Sequence, residues 1–116
     1  MERKYRLLKN YQFENLIVNG KFVSNRDFFL YYCYRDDLGT IRIGITVPKK
    51  LVKKAFARNK IKRQIRSMLI DVEKNWAINI VLIVRKNYLN NDYTNNKVSL
   101  TNLLGKIPLK EKKEIK

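Results

Sequence analysis

IRIGITVPKKLVKKAFARNKIKRQIRSMLIDVEKNWAINIVLIV, residues 41–84, contains a strand, a helix and a second strand in one continuous run. Ile41, Ile43, Ile45 and Val47 alternate with Arg42, Gly44 and Thr46, the period of two of a strand with one apolar face. The other face is polar and, at Gly44, without a side chain, which would let a ligand backbone approach closely there. Pro48 closes the strand. After it, Ile61, Ile65, Met68, Leu69, Val72 and Trp76 fall within a sector roughly 100° wide if the chain turns about 100° per residue. That stripe predicts a long amphipathic helix running toward Asn75, a weak stop signal. Ile78, Ile80, Leu82 and Val84 then form a buried strand. A strand, a helix and a strand in succession imply a parallel pair joined by a crossover.

The helix has a second sector. Asn59, Lys62, Arg63 and Arg66 adjoin the apolar stripe on one side, and no carboxylate occurs between Arg58 and Ile70. A solvated helix face normally mixes acids with its bases, so a one-signed edge with an amide in it points to a polyanion. The amide of Asn59 both donates and accepts, which suits a specific contact better than bulk attraction. The chain as a whole agrees: 26 Lys+Arg against 10 Asp+Glu give a net charge of +16 over 116 residues. Such self-repulsion is offset by an anionic partner, and nucleic acid leads because each neutralised phosphate releases counterions. A membrane surface is the weaker option, since no apolar run approaches the roughly 20 residues of a span and the N-terminus lacks the apolar core of a secretory signal. Cys33, the single cysteine, lies in an apolar run and reads as a reduced core thiol; with no signal segment, this places the chain in the cytoplasm.

Working outward, Asn10 can cap a short helix with Phe13, Leu16 and Ile17 on one face and Gly20 as its stop. Val23 with Ser24-Asn25-Arg26-Asp27 follows, where the first strand of the order is expected. Phe28 to Tyr34 carries aromatics on both alternating faces and is expected to be a strand covered on each side. Arg35 to Gly39 has the composition of a hairpin connection. Thr94 can cap a last helix packed through Val98, Leu100, Leu103 and Leu104, closed by Gly105 and Pro108. The expected fold is therefore a single α+β domain in the order α-β-β-β-α-β-α, with helices against one four-stranded mixed sheet. Residues 1–105 form that domain, and 106–116 read as a basic, flexible tail.

Catalytic equipment is sparse. The sequence has no histidine, one cysteine, no zinc-ligand spacing and no glycine-rich phosphate loop. Asp36 and Asp37 read as turn residues rather than a metal site. RNA binding is better supplied, because bases stand near aromatics that can stack on unpaired strands. Each group also has a plainer reading. Phe13 and Ile17 can be core, Tyr31 can be buried with its hydroxyl satisfied, and Lys49 and Lys50 can be solvated loop charges.

The blocks together resemble the protein component of bacterial ribonuclease P. Arg58-Asn59-Lys60-Ile61-Lys62-Arg63 with Ile65-Arg66 looks like that family's arginine–asparagine–arginine signature. Ser24-Asn25-Arg26-Asp27-Phe28, Arg42 to Val47, Pro48-Lys49-Lys50 and Ile80 to Lys86 stand in the matching order, so the similarity runs from about Leu7 to Leu104. The resemblance implies a non-catalytic protein subunit that works with a catalytic RNA and its Mg²⁺ to remove the 5′ leader of precursor tRNA. It implies RNA-subunit contacts at Arg58, Asn59, Lys60, Lys62, Arg63 and Arg66. It also implies a leader cleft lined by Phe13, Ile17 and Tyr31, with Lys49 and Lys50 nearby. No catalytic or metal-ligating side chain, membrane or small-molecule substrate is implied. The family's crossover through the signature helix is left-handed, which pattern reading alone would not give. Two positions depart from the family: Ile17 stands where many members have an aromatic, and Asn87 where many have proline or glycine. A ribosomal-type RNA-binding protein and a self-sufficient metal-dependent nuclease are the competing readings.

Overall fold

A computed structural model describes residues 5–6, 10–35, 39–72 and 74–108, without the side chains of 10–12. Its elements are α1 (Asn10–Asn19), β1 (Lys21–Ser24), β2 (Phe28–Tyr34), β3 (Arg42–Thr46), α2 (Ala55–Met68), β4 (Ile78–Val84), a short 3-10 helix (Lys86–Asn90) and α3 (Tyr93–Leu104). This is the expected α+β order, with one four-stranded mixed sheet and three α-helices.

The strand order is β1-β2-β4-β3. β4 is antiparallel to β2, with Leu30 opposite Leu82, and parallel to β3, with Ile45 also opposite Leu82. β4 therefore lies between β2 and β3, which are not paired with each other as the expected hairpin. Consecutive strands are neighbours roughly two-thirds of the time, so the expectation was reasonable. Here the most apolar strand outcompetes it for the central position, where both edges and both faces are covered. Arg35 ties the junction instead, donating from Nη1 to Asn79 Oδ1 at 2.7 Å and from Nη2 to the Thr40 carbonyl at 2.6 Å. Asp36 and Asp37 lie outside the described residues, as does the side chain of Asn10 and its expected capping role.

One sheet face carries the main core. Phe28, Leu30, Tyr32, Ile43, Ile45, Ile78, Ile80, Leu82 and Val84 are buried there against Ile65, Met68 and Leu69 of the α2 region and Leu100 and Leu103 of α3. The opposite face is only partly covered. α1 lays Leu16 on Val81, both buried, with Phe13, Tyr31 and Ile83 packed around them. β2 is thus not enclosed equally on its two sides, and Cys33, expected in the core, is exposed. The cause is parity: Cys33 shares a face with Phe29 and Tyr31, and the buried set of β2 is Phe28, Leu30 and Tyr32. Gly44, expected on an open face, is buried.

α2 ends at Met68, short of Asn75. Leu69 leaves the helix with its N–H still bonded to Ile65 and Arg66 carbonyls, and Lys74 Nζ donates to the carbonyls of Ile70 at 2.9 Å and Val72 at 3.0 Å. Carbonyls freed at a helix end need such donors. The apolar stripe outlasts the helix: Val72 and Trp76 still pack on the core from the turn that follows. α3 is capped by Asp92, whose side chain accepts from Asn95 N at 2.9 Å, two residues before the expected Thr94. Val98 points outward at 54 % exposure, and its expected place in the core interface is taken by Asn96, 2 % exposed.

A buried polar knot explains Asn96 and the Ser24–Phe28 block. Asn25 Oδ1 accepts from the backbone N–H groups of Asp27 and Phe28, each at 2.9 Å, while its Nδ2 donates to Ser99 Oγ at 2.9 Å. Asp27 Oδ1 accepts from Asn87 Nδ2 at 2.7 Å and Asn91 Nδ2 at 2.9 Å. Asn91 Nδ2 also donates to Asn96 Oδ1, and Asn96 Nδ2 to the Tyr88 carbonyl. The β1–β2 turn is thereby pinned to the 3-10 helix and to α3. At the chain end described, Ile107 is buried and Tyr34 OH donates to the Pro108 carbonyl; residues 109–116 of the expected tail lie outside the described part.

Candidate nucleic-acid interface

α2 presents three sides. Ile61, Ile65 and Met68 face the core. On one flank stand Asn59, Lys62, Arg63 and Arg66, with Asn59 and Arg63 exposed and Lys62 and Arg66 half-buried. On the other stand Phe56, Lys60, Gln64 and Ser67, toward α3, where Tyr88 OH donates to Gln64 Oε1 at 3.1 Å and Ser67 Oγ meets Tyr93 OH at 2.5 Å. The family resemblance implies that Lys60 contacts the same RNA as the first set. Stepping about 100° per residue puts it on the second flank, one turn from Gln64.

Asn59, Lys60, Lys62 and Arg63 make no side-chain hydrogen bond or ion pair among the described residues. Their charges and the Asn59 amide are available to a partner. Arg58 is already partly engaged: its Nη1 donates to the carbonyls of Val52 at 3.0 Å and Lys53 at 2.8 Å, clasping the loop that enters the helix. Burial, and then the neighbouring Arg6, lower the proton affinity of Arg66, although a guanidinium stays charged. α2 also has no acid in its first turn and carries Lys54 at its N-cap without a side-chain capping bond. Cations at the positive end of a helix dipole disfavour the isolated protein and are relieved by an anion.

The second surface is the partly covered sheet face. The cross-strand register puts Phe22 opposite Tyr31, with ring centroids 4.9 Å apart, and Phe29 lies 5.7 Å from Phe22. Arg85 Cζ sits 4.3 Å over the Phe29 ring while its Nη1 donates to the Asn25 carbonyl at 2.6 Å, so the guanidinium is held over the aromatic row. Phe13 and Tyr31 meet in the α1–sheet cluster; Ile17, one turn on, stays 45 % exposed at its rim. Gly20 sets the approach of α1, because a Cβ there would stand 2.5 Å from the Leu16 carbonyl oxygen and 3.0 Å from that of Tyr32. Lys49 and Lys50 are exposed in the turn after β3, whose last residue, Thr46, pairs with Ile83 at the Phe29 end of the sheet.

Reading the sequence missed Phe22, Phe29 and Arg85. Phe29 was recoverable, being two residues from Tyr31 on the same strand face. Phe22 and Arg85 depend on strand pairing that periodicity does not reveal. Among the described residues no group of three His, Cys, Asp or Glu could hold a metal, and no helix is long and apolar enough to cross a membrane.

The family model for ribonuclease P matches residues 1–108. The chain is 38% identical over 107 residues to the ribonuclease P protein component of Mesoplasma florum, covering 90% of this chain and 96% of that one. To that of Geobacillus kaustophilus it is 36% identical over 108 residues, covering 91% and 88%. The solved RNase P protein of Staphylococcus aureus superposes with a TM-score of 0.76 at 33% identity, over 87% of this chain and 93% of that one. That of Thermotoga maritima gives a TM-score of 0.76 at 29% identity, over 89% and 97%. With the fold and the basic helix in place, these matches show that the chain belongs to the ribonuclease P protein component family.

Proposed function

We propose that this chain is the protein subunit of a ribonuclease P, which holds a catalytic RNA and the 5′ leader of precursor tRNA so that the leader is cut from the tRNA. The observation that carries this reading is the separation of two surfaces with different chemistry on one small fold. The α2 edge, with Arg58, Asn59, Lys62, Arg63 and Arg66 and with Lys60 reached over its crest, offers point charges and an amide to the folded RNA subunit. Folded RNA presents its phosphates densely, and neutralising them releases counterions. The α1–sheet face offers Tyr31, Phe22 and Phe29 as ring surfaces, Phe13 and Ile17 as an apolar wall, and Arg85, Lys49 and Lys50 as charges. A single strand has exposed bases to stack and a backbone to track, which that mixture fits.

In this reading Mg²⁺ is held mainly by the RNA, which carries out the hydrolysis. The protein's part is positioning: fixing the leader restricts the scissile bond to a productive orientation and reduces the entropic barrier. Its positive field also lets two polyanions approach each other. In this reading no side chain of the chain is catalytic, and the complex works in the cytoplasm on newly made precursor tRNA.

The test is cleavage of precursor tRNA at low Mg²⁺ with the protein alone, the RNA subunit alone and both together. Cleavage is expected only, or far faster, with both. Cleavage by RNA-free protein would favour a self-sufficient nuclease. No stimulation by the protein, with co-sedimentation on ribosomes, would favour a ribosomal RNA-binding protein.

A further inference from the structure

The α3-facing flank of α2 borders a cavity of about 560 Å³, closed on its other side by the 3-10 helix and the start of α3. Leu51, Val52, Ile61 and Leu89 give it apolar walls. At its mouth stand two rings that cover little of the core, Phe56 at 70 % and Tyr93 at 42 % exposure. Gln64, Asn91 and Asn96 bring amides to the lining, and that of Asn96 is used by Asn91 and the Tyr88 carbonyl. Tyr88 OH occupies Gln64 Oε1, which leaves the Gln64 amide N–H groups without a partner among the described residues. Asn91 uses its Nδ2 toward Asp27 and Asn96, leaving its Oδ1 in the same position. The cavity thus offers one donor and one acceptor between flat apolar surfaces.

Its rim is cationic. Lys60 lines the cavity, no acid does so among the described residues, and Lys54 Nζ lies 5.8 Å from the Phe56 ring centroid. A base that leaves its stack needs a ring or apolar plate, an edge partner and a cation for its phosphate, and all three converge here. A second copy of this chain would bring another +16 of charge to the same cationic rim. Charge complementarity therefore selects a polyanion with a flat apolar group to bury.

We propose that this cavity receives one unstacked base of the RNA that lies along α2, with Phe56 and Tyr93 as stacking surfaces and Lys60 and Lys54 on the adjoining phosphates. The inference rests on the RNA-subunit reading of α2 and deepens it. Lys60 then bridges the two flanks: the strand crosses from Asn59 and Arg63 over the crest of the helix, and one nucleotide turns into the cavity.

The experiment uses the full chain and the cognate ribonuclease P RNA, with affinity measured across a salt series and every base probed chemically with and without protein. Phe56→Ala is expected to weaken binding roughly five- to a hundredfold, the range for losing one stacked base, while leaving the salt slope unchanged. One base protected by the native protein becomes reactive. Gln64→Leu is expected to expose the same base. Val98→Ala, an equally outward apolar residue on the far side of α3, is expected to bind as the native protein does. Native affinity and an unaltered protection pattern for Phe56→Ala, while Arg63→Ala still weakens binding, would overturn the cavity assignment and leave the RNA reading standing. No effect of Arg63→Ala either would overturn both. A self-association of the protein that Phe56→Ala abolishes, with RNA binding intact, would give the cavity to a second copy and overturn the inference as well.

Discussion

The α2 edge and the α1–sheet face are built from nearly opposite materials. The edge has cations and an amide, no carboxylate, and no described partner for most of its charges. The sheet face has a row of rings in mutual contact, with one guanidinium over it and held by a backbone carbonyl. Charge alone attracts any polyanion and is weakened by salt. Ring surfaces take bases only where those bases are unpaired, and respond less to salt. One fold can therefore bind two RNAs differently without two domains.

The largest expected effect falls on the edge. Replacing Arg63 and Arg66 together with Ala should lower the logarithmic salt slope of binding to the RNA subunit by about 0.9 for each phosphate no longer neutralised, and reduce affinity accordingly. Filter binding across a salt series measures this; an unchanged slope would dissolve the contrast between the two surfaces. Tyr31→Ala should act on the other side. It should weaken precursor tRNA binding by the holoenzyme by about 1–3 kcal/mol while sparing mature tRNA. Equal weakening for both substrates would mean that no leader base stacks there.

Asp27→Ala separates support from contact. It leaves the Asn87 amide without its buried acceptor and the Asn91 amide with Asn96 alone, and should cost about 1–3 kcal/mol of folding stability, read by urea denaturation. The loosened turn carries Arg85 through the Asn25 carbonyl, so leader binding should suffer before RNA-subunit binding does. The smallest effect concerns Cys33. Because it is exposed on the sheet face, the native protein should be alkylated there at close to the unfolded rate, with no loss of RNA-subunit affinity. A protected thiol would mean that this face is covered more completely than the structure describes.

A further contrast lies within α2 itself. Tyr88 is buried at the seam with α3, and that burial, followed by Tyr93, pushes its hydroxyl up to about 12. The α3-facing flank is thus partly internal, and its polar atoms are used to hold helices together. The opposite flank uses few of its own. Lys60 stands on the α3-facing flank, so unlike Asn59, Lys62, Arg63 and Arg66 it borders the cavity rather than the cationic edge.

What the sequence determined by itself was local. The alternation at Ile41–Val47 and Ile78–Val84 and the stripe from Ile61 to Trp76 located the strands and the helix, because side-chain periodicity follows from backbone geometry alone. The one-signed edge of α2 was legible for the same reason, as was the order of elements. Tertiary structure decided whatever depends on partners far away in the chain. β4 displaced the expected β2–β3 hairpin because a strand apolar on both faces gains most from the centre of a sheet. That pairing brings Arg85, just past β4, over Phe29, while the β1–β2 register brings Phe22 onto Tyr31. The same holds for Asp27, whose carboxylate is satisfied by amides about 60 positions onward. Such contacts carry no periodic trace in sequence, since they are fixed by which surfaces exclude water together once the whole sheet has formed.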